Sequence, residues 1–187
     1  MKQIAFLSIV FSLLCIVSFT QNVDIKKSSV KWIGKKITGK HFGFLNIKSG
    51  NVNMDGNSIK NSIIIVDMTS LTCTDIEDKE MNKKLVGHLM SSDFFNTAIY
   101  KEAKLEIKSP VMFKGKFAQA KAYLTIKEKK LPVEFKIFKR AENFFEANLQ
   151  IDRTLYDIRY GSGKFFKNLG NKAIKDIFDL KVKIILN

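Results

Sequence analysis

The chain reads as an all-β protein, an eight-stranded antiparallel up-and-down barrel with a helix inserted between its third and fourth strands. Three observations predict it. Apolar and polar residues alternate with a period of two along most of the sequence, turn-forming clusters separate the alternating runs, and a single segment carries a four-residue apolar repeat instead.

The first element is not part of that barrel. In "MKQIAFLSIVFSLLCIVSFTQ" one lysine precedes sixteen uncharged, mostly apolar residues from Ile4 to Phe19, with small Ser18 and Thr20 at the spacing a signal peptidase reads. Residues 1–20 are expected to be a cleaved secretory signal, cut after Thr20, because sixteen residues fall short of the roughly 20 that a bilayer span needs. Leu14 stands where a lipobox wants a small residue, and Cys15 sits inside the apolar run. The expected product is one domain over residues 21–187, periplasmic or secreted, with Cys73 as its one thiol and no intramolecular disulfide.

Strands follow in order. Less regular alternation runs through Val23 to Lys35, Phe44 to Met54 and Ile59 to Met68. From 74 to 90, Thr74 and Glu77 have capping-box spacing and Met81, Leu85 and Leu89 recur every fourth residue, which predicts the helix. A helix there could cover an open end of a barrel. Ala103 to Phe113 resumes the alternation. "AKAYLTIK" then sets Ala120, Ala122, Leu124 and Ile126 against Lys121, Tyr123, Thr125 and Lys127, and "LPVEFKIFK" repeats the pattern with Leu131, Val133, Phe135 and Ile137. Phe144 to Arg153 and "FDLKVKIIL", with Phe178, Leu180, Val182, Ile184 and Leu186, complete the eight. The turns "MDGNS", "KGK", "KEKK" and "RAEN" separate neighbours. Eight strands with one apolar face each favour closure over an open sheet, because closure removes unpaired edges; a two-sheet sandwich is the competing arrangement.

Net charge is +14, and only Lys2 is lost with the leader. The lysines alternate with apolar residues instead of forming a stripe with interleaved aromatics, which argues against nucleic acid and leaves a solvated basic surface, with transient contact to anionic membranes as a secondary expectation. Chemistry for catalysis is sparse. His41, His88 and Cys73 are the candidate nucleophiles or bases, and no GxSxG, HExxH, CxxC or P-loop is present. A Cys73, His88 and Asp93 set can be written down without support from spacing, and neither a metal site nor a cofactor is expected. Sixteen Phe remain to be explained as ordinary core or as the wall of a ligand cavity.

Three blocks carry a resemblance: "WIGKKITGKHFG", where Trp32, Gly34, Gly39, His41 and Gly43 have W-x-G-x4-G-x-H-x-G spacing; "GHLMSSDFFNTAIYKEAKLEI"; and "IDRTLYDIRYGSGKFF". Together they resemble the YceI-like family of exported bacterial proteins over essentially the whole segment after the leader. The resemblance implies an extended, lipocalin-like eight-stranded antiparallel barrel whose elongated interior holds a long-chain lipid, a polyisoprenoid or fatty amphiphile, with no enzymatic activity. The family usually carries a glycine in the turn that here reads "KEKK". On this reading the ligand-binding candidates are Trp32, Phe42, Phe94, Phe95, Leu105, Leu124, Phe135, Leu149, Ile151, Arg153, Arg159 and Tyr160. One ring of the Phe94–Phe95 pair is expected to lock the helix down and the other to face the cavity. Arg153 shares the apolar face of Leu149 and Ile151; either it pairs with a carboxylate such as Asp152 or Asp157, or it joins Arg159 and Tyr160 at the mouth to hold a polar head. His41 is expected to bond a neighbouring loop. The alternatives are a filled barrel with a structural or stress-protective role and, from another class, an enzyme acting on an apolar substrate. Whether the protein is a monomer or a homodimer is left open.

Overall fold

The computed structural model describes residues 19–187, so the expected secretory signal lies outside the described residues up to residue 18. The strands are β1 (Phe19–Asn22), β2 (Ser29–Lys35), β3 (Lys40–Asp55), β4 (Ser58–Asp67), β5 (Glu102–Ile107), β6 (Val111–Met112), β7 (Phe117–Ile126), β8 (Lys129–Ala141), β9 (Phe144–Asp152) and β10 (Ile177–Ile185), with helix α1 at Lys79–Met90. Every pairing is antiparallel. The ladder runs β2, β3, β4, β5, β7, β8, β9, β10 and returns from β10 to β2, where Leu180 faces Trp32 and Val182 faces Val30. That last pairing closes eight staves into a barrel and excludes both the open sheet and the sandwich. β1 and β6 are accessories: β1 follows β2 along one edge of β3, and β6 extends the partner edge of β4.

Period-two alternation became inside and outside as expected. On β7, Ala118, Ala120, Ala122, Leu124 and Ile126 are buried, while Lys121 and Tyr123 between them are exposed. Register slips between Ile47 and Ser49 and between Asn53 and Met54 place bulges in the long β3–β4 hairpin, where added twist helps a sheet curl.

Three boundaries move from the sequence reading for local reasons, and one helix position faces the other way. The strand expected from Val23 begins only at Ser29, because the Asp24 carboxylate accepts from the amides of Lys26 and Lys27 and folds 24–28 into a turn. The strand expected over 103–113 is split into β5 and β6 around Pro110, which lacks an N–H for the ladder. The helix starts at Lys79, not Thr74: Asp78 is the N-cap, accepting from Met81 N, while Thr74 is committed to β3 through the Phe42 carbonyl. Met81, expected on the packed face, is 64% exposed, and only Leu85 and Leu89 of that series pack inward. The helix follows β4, the third stave of the barrel, and lies over one barrel end.

The "KEKK" turn is a two-residue hairpin in which Lys127 (φ 49°) and Glu128 (φ 63°) both occupy the left-handed region. That is type I′ geometry, which explains why a glycine is preferred there.

Candidate functional site

The inward faces do not fill the barrel. A cavity of about 450 Å³ runs through it, walled by aliphatic and aromatic side chains. Along β3 its lining extends from His41 to Val52, eleven residue steps or about 36 Å of strand at roughly 3.3 Å each. Strand tilt near 40° reduces this to an axial length of about 28 Å. A volume of this size spread over that length describes a narrow tube rather than a compact pocket. The exposed lining residues Lys36, Tyr160, Asn171, Lys172 and Lys175 lie at one end, so the cavity opens there, beside α1 and the loop that precedes β10.

Nine of the twelve residues singled out in the sequence line this cavity: Trp32, Phe94, Phe95, Leu105, Leu124, Phe135, Leu149, Arg153 and Tyr160. Phe42, Ile151 and Arg159 do not. Phe42 is on the outer face of β3, where the Lys31 ammonium lies 3.9 Å from its ring centroid. Ile151 points inward but is sealed in solid core at 3% exposure. Arg159 extends into solvent, donating to Asp157 Oδ1 (3.2 Å) and stacking on Phe165.

Phe94 and Phe95 both line the cavity after the chain leaves α1. Phe94 is buried and packs edge-on against His88 of the helix (5.1 Å between centroids) and against Tyr160, while Phe95 meets Phe178 of β10 edge-on at 6.5 Å. Phe94 therefore fastens the helix, and Phe95 spans from the helix terminus to the barrel wall.

Arg153 is 3% exposed, and its partners are neither Asp152 nor Asp157. Its Nε donates to Lys175 O, Nη1 to Ile158 O at 2.8 Å, and Nη2 to Ile174 O and Asp176 Oδ1. Burial pulls its pKa down and the Asp176 and Asp152 carboxylates oppose that; an arginine remains charged. The guanidinium thus buckles the two loops at the mouth to each other. Asp152 is used otherwise, capping the short helical turn after β9 through Thr154 N and pairing with Lys164.

The first sequence block has one physical purpose. Residues 71–75 cross close to the inner side of β3, and a Cβ on Gly43 would stand 1.8 Å from Thr72 O. Trp32 Nε1 donates to that same carbonyl at 2.8 Å, and Asp75 receives His41 Nδ1 (2.9 Å) and Phe42 N (2.8 Å). Burial alone would raise the Asp75 pKa, but the Phe42 amide and His41 outweigh it and hold the carboxyl below its usual value. Cys73 lies in the same crossing and donates to Asp75 Oδ1 (3.3 Å); burial, foremost, pushes its thiol pKa up, which makes it a weaker nucleophile at neutral pH. Among the described residues no group of three or more His, Cys, Asp or Glu is placed to hold a metal, and no helix is long and apolar enough to cross a membrane.

The wall also includes Ile64, Phe178 and Leu180, which strict inward alternation would have identified. Lys36 was missed as well. It continues the inward stripe Val30, Trp32, Gly34 at the mouth, a signal present in the sequence and not used.

A family model for the YceI-like domain matches residues 21–186. No curated protein matches the chain. Among solved structures, Burkholderia cenocepacia BcnA is similar at 22% identity and a TM-score of 0.68, covering 88% of this chain and 99% of its own. A polyisoprenoid binding domain from Saccharophagus degradans is similar at 12% identity and a TM-score of 0.57, over 89% and 97% of the two chains. The Campylobacter jejuni YceI protein is similar at 13% identity and 0.54, over 100% and 93%. With the closed eight-stranded barrel in place and the family model spanning nearly all the described residues, this chain belongs to the YceI-like domain family.

Proposed function

We propose that this protein is an exported, non-enzymatic carrier that holds the tail of a long-chain apolar lipid, a polyisoprenoid or fatty amphiphile, inside its barrel. The observation that carries the reading is the long apolar cavity, about 450 Å³ and open at one end. A volume in the usual range for ligand pockets, drawn into a tube, suits a flexible chain better than a compact substrate. The similar Saccharophagus degradans domain, described as polyisoprenoid binding, supports the same ligand class.

Burying such a tail would nominally gain about 0.8 kcal/mol per methylene on leaving water. A lipid taken from a bilayer is already out of water, so transfer is close to balanced and selectivity rests on shape and on the head. Beside the opening, Phe165, Phe166 and Ile37 are exposed among lysines. Apolar side chains in a basic setting are suited to brief contact with an anionic bilayer in the periplasm or outside the cell.

The test is native mass spectrometry of protein purified from its own host without detergent, followed by denaturation and identification of what is released. A stoichiometric long-chain species is expected, with lower occupancy in Phe95→Ala than in the exposed control Lys121→Ala. Protein that stays empty after incubation with host membrane lipids would overturn the carrier role, and equal occupancy in the two variants would remove Phe95 from the site.

A further inference from the structure

The charges on the cavity wall do not balance. Its lining includes the cations Lys35, Lys36, Lys104, Arg153, Lys172 and Lys175 and one acid, Glu146. Three of the cations are already matched: Lys35 by Asp179 (2.5 Å), Lys104 by Glu106 and Arg153 by Asp176. Glu146 is taken by Arg140 (2.6 Å) on the outer surface. Lys36, Lys172 and Lys175 have no ion pair among the described residues, and all three are at the open end.

Their placement follows from the register. Lys36 ends the inward stripe of β2 and is bridged to Ile174, while Lys175 donates its amide to Lys35 O on the adjoining chain segment. The short helical turn Gly170–Lys172 brings Lys172 to the same rim. Each side chain is exposed enough to remain hydrated when the cavity is empty, so the rim carries little desolvation cost until a ligand arrives. Low-dielectric walls below it concentrate the positive potential at the opening. A neutral head there would leave three ammoniums facing it without a counter-charge, whereas a carboxylate or phosphate would accept charge-assisted hydrogen bonds from them.

We propose that the ligand carries an anionic head, a carboxylate or phosphate ester, held at the barrel mouth by Lys36, Lys172 and Lys175, with its tail in the tube. This rests on the carrier reading above and specifies its ligand class.

Displacement of the neutral dye N-phenyl-1-naphthylamine tests both, using lipid-stripped full-length protein at a pH where the carboxylate is ionised. Palmitate and hexadecanol share a tail and differ in the head. Palmitate is expected to displace the dye at about tenfold lower concentration than hexadecanol, the size of a few partly exposed ion pairs acting together. In Lys36→Gln/Lys172→Gln that preference should fall to within about twofold while hexadecanol displacement is unchanged. Equal displacement by both compounds in the parent protein would overturn the anionic head and leave the carrier standing. Failure of the protein to bind the dye and of both compounds to bind would overturn the carrier reading itself, and this inference with it. Calorimetry with inorganic phosphate separates a lipid head from a free anion: no saturable binding is expected, and a saturating isotherm abolished by the double substitution would assign the rim to free anions instead.

Discussion

Replacing Gly43 by alanine adds one methyl group where the backbone leaves no room. The new Cβ would lie 1.8 Å from Thr72 O, 2.6 Å from Thr72 C and 2.9 Å from Cys73 Cα. All three are main-chain atoms, so no side chain can rotate away, and residues 72–73 must retreat by more than an ångström. Overpacking of this kind costs about 1–3 kcal/mol. The retreat also pulls Thr72 O from Trp32 Nε1 and strains the bonds from Thr72 N to Phe44 O and from Thr74 N to Phe42 O, at about 1 kcal/mol for each bond lost. Together these give a loss of about 3–5 kcal/mol. In a chain of this length that corresponds to a fall in Tm of about 6–20 °C. The control is in the same motif: a Cβ on Gly39 meets nothing within 4 Å, so Gly39→Ala should stay within about 0.5 kcal/mol of the parent. Urea denaturation of both variants decides the matter. A Gly43→Ala loss below about 1 kcal/mol, or a Gly39→Ala loss of equal size, would refute the claim that the first block exists to admit the crossing segment.

Arg153→Met should cost about 3–5 kcal/mol in the same assay, because it leaves Asp176 without its guanidinium and orphans the carbonyls of Ile158, Ile174 and Lys175. Glu128→Gly relieves a left-handed residue in the β7–β8 turn (φ 63°) and is expected to stabilise the protein by about 1 kcal/mol, read as a rise in Tm. Asp75 has a folded-state pKa depressed below its ordinary value, net of burial, by the Phe42 amide and His41. Its contribution is therefore present above the unfolded-state pKa of about 3.9 and is lost as pH falls through the folded value. Asp75→Asn should be less stable than the parent near neutrality, and the gap should narrow below about pH 4; a gap independent of pH in that range would remove the ionised carboxylate from the argument.

What the sequence by itself determined is what depends on local order. Alternation in "AKAYLTIK" and "FDLKVKIIL" assigns an inside and an outside to each residue because side chains on a strand point to opposite faces in turn. The same alternation placed Leu124, Phe135 and Leu149 on the cavity wall. Phe42 was misplaced because the first block was read as a unit rather than by parity: Trp32 faces Gly43, so the ring beside that glycine must point outward.

Only the tertiary structure decided the rest, because the deciding contacts join residues far apart in the chain. Closure required Leu180 to meet Trp32. Arg153 chose the carbonyls of 174 and 175 over the carboxylate next to it in sequence, since Asp152 was already committed to the turn after β9 and to Lys164. The need for Gly43 became visible only when Thr72 was seen crossing above it. Whether inward side chains fill a barrel or leave a tube depends on the volume that eight faces enclose together, a sum over the whole fold that no single strand encodes.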